Sequence, residues 1–117
     1  MMKLSAYPGA IASLQHQLLD LDQQIISLTE SVTLFASLID KAIAFDTTLK
    51  NEAQRKAVKL ERQQSDSDYY EAALALKNAK QKRDQLSIEL ELQRSQFSVA
   101  KLDMRCAIAN LEAQVAA

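Results

Sequence analysis

The chain has 117 residues and a net charge of −1, from 14 basic and 15 acidic side chains. It therefore reads as a single domain with no bulk attraction to polyanions. Nearly half of its residues are apolar (48%) and a quarter are charged (25%), a balance that excludes a disordered segment. Its one cysteine, Cys106, excludes an internal disulfide and suits a reducing compartment.

The N-terminal stretch Met1–Gly9 holds Lys3 but no continuous apolar core, so it does not read as a secretory signal. No apolar run approaches the ~20 residues a membrane span needs, and a cytoplasmic location is expected. The only proline and the only glycine, Pro8 and Gly9, stand side by side, and the 108 residues from Ala10 to Ala117 contain neither. Without the two strongest breakers, that run predicts long α-helices. Pro8 fits a first helical turn, where its missing N–H costs nothing.

A first helix is expected over about 9–64. With Ile11 as heptad position a, the a series runs Ile11, Leu18, Ile25, Val32, Ile39, and the d series Leu14, Leu21, Leu28, Phe35. More than three heptads of large apolar residues in frame are the signature of a coiled coil. Two places invite a break. Gln63–Asp68 carries Ser65, Asp66, Ser67 and Asp68, residues that compete for backbone hydrogen bonds, and Asp68 with Glu71 resembles a capping box. Asp46-Thr47-Thr48 is the weaker candidate.

The turn is accordingly expected at about 65–68 and a second helix at about 69–115. Its seam reads Tyr69, Leu76, Arg83, Leu90, Phe97, Met104, Leu111, with Ala72, Ala79, Leu86, Gln93, Ala100, Ala107 beside it. A turn near 66 sets Phe35 opposite Phe97, Leu28 opposite Met104 and Leu21 opposite Leu111, so core residues meet core residues. The fold class expected is all-α: a long antiparallel coiled-coil hairpin that dimerises into a four-helix bundle. The alternative is a three-helix bundle broken near 46–48.

The self-association is inferred from a second apolar face. Leu19, Ile26, Leu34, Leu38, Ile43 and Phe45 lie outside the a/d seam, and one partner helix cannot cover so wide an arc. Burying each such side chain contributes ~1.5–3 kcal/mol, so these six are the expected protein interface, toward a second copy or another helical protein. Ile and Val at a with Leu at d also suit a parallel two-stranded coil. Asp46 and Arg83 fall at core positions in adjacent layers of the hairpin and are expected to pair and fix its register.

No motif for chemistry emerges. His16 is the only histidine, at an outer heptad position, whereas a metal site needs several convergent ligands. Carboxylates such as Asp20/Asp22 and Glu89/Glu91 are two apart and point to different helix faces. Cys106 lacks a histidine or CxxC context and is expected to be a partly buried structural thiol. The chain is read as non-enzymatic, without metal or cofactor.

The charge is unevenly spread, and residues 49–84 carry nine basic against six acidic side chains. Lys50, Arg55, Lys56, Lys59 and Arg62, with Lys77, Lys80, Lys82 and Arg83, converge on the distal half of the expected hairpin, with Tyr69 and Tyr70 near its tip. This arrangement resembles the helical arm of seryl-tRNA synthetases, and the resemblance implies contact with nucleic-acid phosphates. Prefoldin subunits are similar in length and paired helices, which implies a chaperone-like or secretion-stalk hairpin clasping a client, but they carry β-hairpins for which this sequence has no segment. The leading expectation is an assembly or adaptor protein acting through helix packing.

Overall fold

A computed structural model describes residues 2–116. A 3-10 turn, Leu4–Ala6, leads into three α-helices: α1 (Tyr7–Ala44), α2 (Glu52–Ser65) and α3 (Ser67–Ala116). No strand occurs among the described residues. The chain divides into two compact units. Unit 1 comprises Met1–Asp20 with Arg83–Ala117, and unit 2 comprises Leu21–Lys82, so the boundary falls within α1 and within α3.

The helix expected over 9–64 is interrupted at residues 45–51, where the three-helix alternative put its break. The reason is local hydrogen bonding. Asp46 accepts both the backbone N–H of Thr48 (3.0 Å) and its hydroxyl (2.6 Å) on one carboxylate oxygen, an Asx turn that draws the backbone out of helical register. Three residues on, the Asn51 side chain caps α2 by accepting from the N–H of Gln54 (2.9 Å), while the Gln54 side chain accepts from the N–H of Lys50 (2.9 Å). This reciprocal pair closely follows the logic of a capping box.

The second break is a single residue. Asp66 closes α2 by donating its N–H to the carbonyl of Arg62 (2.8 Å) and opens α3 by accepting from the N–H of Tyr69 (3.0 Å). The cap is thus Asp66, two residues before the Asp68 that the sequence pattern favoured.

Unit 2 holds the end of α1, all of α2 and the start of α3. α2 folds back along the last turns of α1: Glu52, Arg55, Lys56 and Lys59 border a groove with Asp40, Ile43 and Ala44, and Ser65 and Asp66 reach Leu38 and Ile39. The buried residues are Leu21, Ile39 and Ile43 on α1 and Ala79 on α3. Ile43 is buried in the last turn of α1, and the expected seam residue Ala42 is exposed.

Unit 1 holds the start of α1 and the rest of α3. Tyr7, fully buried, stacks on Phe97 with ring centroids 5.5 Å apart. Ala10, Ile11, Leu14 and Leu18 of α1 are half-buried, whereas every described residue from Lys101 onward is exposed. The surface covering α1 therefore comes from α3 residues before Phe97, and the two helices run antiparallel. Leu90 is the other buried residue of the unit.

The ring contact corrects the expected register. Phe97 meets Tyr7, not Phe35, a shift of 28 residues, which is four whole heptads. The 20-residue run of 45–64 that the long hairpin required in α1 is instead taken by the first break and α2. Because the shift is a multiple of seven, the same faces still meet. The nine seam positions from Ile11 to Ile39 are buried or half-buried, as are the ten from Tyr69 to Ala100.

Candidate interaction surface

In unit 2 the exposed face of α1 presents Ile26, Leu34 and Leu38, and Phe45, just past the end of α1, is 76% exposed. Leu60 of α2 and Tyr70 and Leu74 of α3 are also exposed. Ile43, expected on the same face, is buried at 7% exposure. Three hydroxyls near this face are satisfied within the helix: Thr29 donates to the carbonyl of Ile25 (2.7 Å), Ser31 to Ser27 (3.2 Å) and Thr33 to Thr29 (2.9 Å). Such back-bonding spends these three donors, so covering them with apolar side chains costs little hydrogen bonding.

Asp46 sits at the end of this face with its carboxylate already engaged. Besides Thr48 it faces the Arg62 guanidinium at 4.0 Å. The Thr48 hydroxyl above all, then its N–H, and then the Arg62 charge hold the Asp46 carboxyl below the ordinary range for an aspartate. The ion pair seen for Asp46 is therefore with Arg62 inside unit 2. Arg83, the expected partner, belongs to unit 1.

The basic residues Lys50, Arg55, Lys56, Lys59 and Arg62, with Lys77, Lys80 and Lys82 of α3, all belong to unit 2. Two of them are drawn into ion pairs, Arg62 with Asp46 and Lys59 with Asp40 at 3.0 Å. Arg55, Lys56 and Lys59 share their groove of about 490 Å³ with Asp40 and Glu52, so it presents both signs of charge. A phosphate-binding track needs cations that stay available for phosphates, and acids beside three of these cations weaken the local field.

In unit 1 Leu19 is exposed on α1, and Ile88, Leu92 and Val99 on α3. Beyond Ala100 the seam continues in phase with nothing on it. Met104, Ile108, Leu111 and Val115 are 48%, 48%, 61% and 89% exposed, and Ile108, Leu111, Glu112, Val115 and Ala116 line a shallow apolar groove. Sequence reasoning had placed Met104 and Leu111 inside the hairpin. The signal that α1 does not reach them was Asn51-x-x-Gln54, the cap that starts α2.

Residues for chemistry do not converge. His16 is exposed, and no cluster of three His, Cys, Asp or Glu side chains suited to a metal ion exists among the described residues. Cys106, expected to be partly buried, is free and exposed, because it lies on the stretch of α3 that α1 does not cover. No described helix is long and apolar enough to cross a membrane. No family model, curated protein or solved structure matches the chain.

Proposed function

We propose that this chain is a non-enzymatic assembly module that works by helix-on-helix packing, associating with itself and presenting its remaining apolar face to another helical protein. The observation that carries this reading is the last third of α3. It keeps the apolar heptad phase of the covered part, yet every described residue from Lys101 to Ala116 is exposed. The apolar row of this stretch is stabilised by a partner that covers it. The exposed face of α1 at Ile26, Leu34 and Leu38, with Phe45 just past its end, adds a second apolar surface, larger than scattered single residues need.

The nucleic-acid reading has less support. The basic residues of unit 2 are interspersed with acids, and Lys59 and Arg62 are engaged by Asp40 and Asp46. Light scattering on the purified chain at low and high salt separates the readings. The assembly reading expects a stable oligomer whose mass is insensitive to salt, because apolar packing is not screened. A monomer at all concentrations, together with steeply salt-dependent binding to a nucleic acid, overturns it.

A further inference from the structure

Resting on the assembly reading, we infer that residues 101–116 of α3 pair with the same segment of a second copy, antiparallel, about a two-fold axis between Ile108 and Ala109. The apolar row here is broad. Ala100, Met104, Ala107, Ile108, Leu111 and Val115 follow the spacing of three or four residues that marks one helix face. None of Met104, Ile108, Leu111 or Val115 is less than 48% exposed.

Charge complementarity selects the occupant and its direction. Arg105 and Glu112 are seven residues apart on the same flank of the row. In a two-fold antiparallel pair the like flanks of the two helices meet, and residues equally far on either side of the axis come level. Arg105 of each copy then lies level with Glu112 of the other, giving two symmetric opposite-charge contacts. A parallel in-register pair sets Arg105 level with Arg105 and Glu112 level with Glu112, which is repulsive. The same alignment brings the large Leu111 of each copy to within one residue's rise, ~1.5 Å, of the level of the small Ala107 of the other, so side-chain volumes alternate across the axis as close packing requires. The contact is isologous, because one surface patch serves both copies.

Single-cysteine variants made in a Cys106→Ser background test direction and partner together. Ala107→Cys and Leu111→Cys are oxidised separately and as a mixture. The antiparallel pair yields a disulfide-linked dimer in the mixture and little from either variant alone, because a disulfide needs Cα atoms within ~7 Å. Linked dimers from each variant alone indicate parallel pairing and overturn the proposal, as does the absence of linked dimer in all three samples. Light scattering on Leu111→Glu, with far-UV circular dichroism to confirm that helix is retained, separates this surface from self-association in general. The expected result is a dissociation constant raised at least tenfold, about 1.4 kcal/mol. A variant that keeps the wild-type oligomer overturns this surface and leaves the assembly reading standing, while a monomeric wild-type chain overturns both. Arg105→Glu is expected to weaken association about threefold, with recovery when Glu112→Arg is added; no recovery overturns the alignment.

Discussion

Unit 1 and unit 2 each bury a thin row of apolar side chains, but they treat the rest of their surface differently. Unit 2 turns the chain twice, at 45–51 and at Asp66, and the first turn lays α2 against the end of α1. Unit 1 contains no turn between helices, and its second helix continues from Lys101 to Ala116 with every described residue exposed. The heptad phase of Leu90 and Phe97 is the same as that of Met104 and Leu111. Phase therefore identifies the face that packing will use, whereas turns decide whether the chain itself supplies the partner for that face.

The largest expected effect separates the two stretches of α3 in unit 1. Leu90→Ala removes a side chain only 6% exposed and should cost ~2–5 kcal/mol through lost burial and the cavity left behind. Leu111→Ala, measured in urea melts dilute enough for the chain to be monomeric, should stay within ~0.5 kcal/mol of wild type. Equal costs in the monomer would mean that the chain covers Leu111 itself, and the contrast between the two stretches would be lost.

Unit 2 is expected to respond to its caps. Asn51→Ala removes the side chain that accepts from Gln54 at the start of α2 and should cost ~1 kcal/mol, with Asn51→Gly losing only a few tenths. Hydrogen exchange at the α2 amides reads this directly. Unchanged protection in Asn51→Ala would show that packing against α1, not the cap, fixes where α2 begins.

Unit 1 offers a substitution of the opposite sign. Tyr7 is fully buried and its hydroxyl has no hydrogen-bond partner. Tyr7→Phe keeps the ring that stacks on Phe97 and removes a polar group that burial penalises. The variant should be more stable by up to ~1 kcal/mol in thermal melts. A loss of stability would show that the hydroxyl makes a favourable interaction, and that the seam of unit 1 is less purely apolar than that of unit 2.

These expectations also show which features a heptad sequence carries. The seam was legible: the a/d positions from Ile11 to Ile39 and from Tyr69 to Ala100 are all buried or half-buried. Register was not, because a coiled-coil pattern is unchanged by a slip of seven. Opposing Phe97 to Phe35 or to Tyr7 satisfies the same pattern, and only the place of the turn decides. That place was written in short polar side chains, Asp46 with Thr48 and Asn51 with Gln54, whose single hydrogen bonds weigh little beside nine large seam residues until they are read as a pair of caps. The apolar arc was legible at Leu19, Ile26, Leu34, Leu38 and Phe45, which are exposed. Ile43 was not, because its burial depends on α2 returning against α1. The uncovered end of α3 was hidden for the same reason: Met104 and Leu111 have the residue types of seam positions, and nothing in their own neighbourhood records that α1 begins opposite Phe97.

The smallest expected effect is one of pH, and it belongs to unit 2. Asp46 is held below its ordinary value by the Thr48 hydroxyl, the Thr48 N–H and Arg62. A carboxyl whose folded-state pKa is depressed binds protons more readily when unfolded, so it contributes stability at pH above the unfolded value and loses that contribution as pH falls through the folded value. The window opens below about pH 4, the unperturbed aspartate value. Urea melts of wild type and Asp46→Ala at pH 6, 4 and 2.5 isolate this group from the other carboxylates that also titrate. The wild-type advantage should be full at pH 6 and shrink steadily toward pH 2.5, because protonation removes the charge that favours both the Thr48 bonds and Arg62. An advantage that does not change with pH would mean that the turn at 45–51 is held by shape alone. The ion pair with Arg62 would then add nothing to the break between α1 and α2.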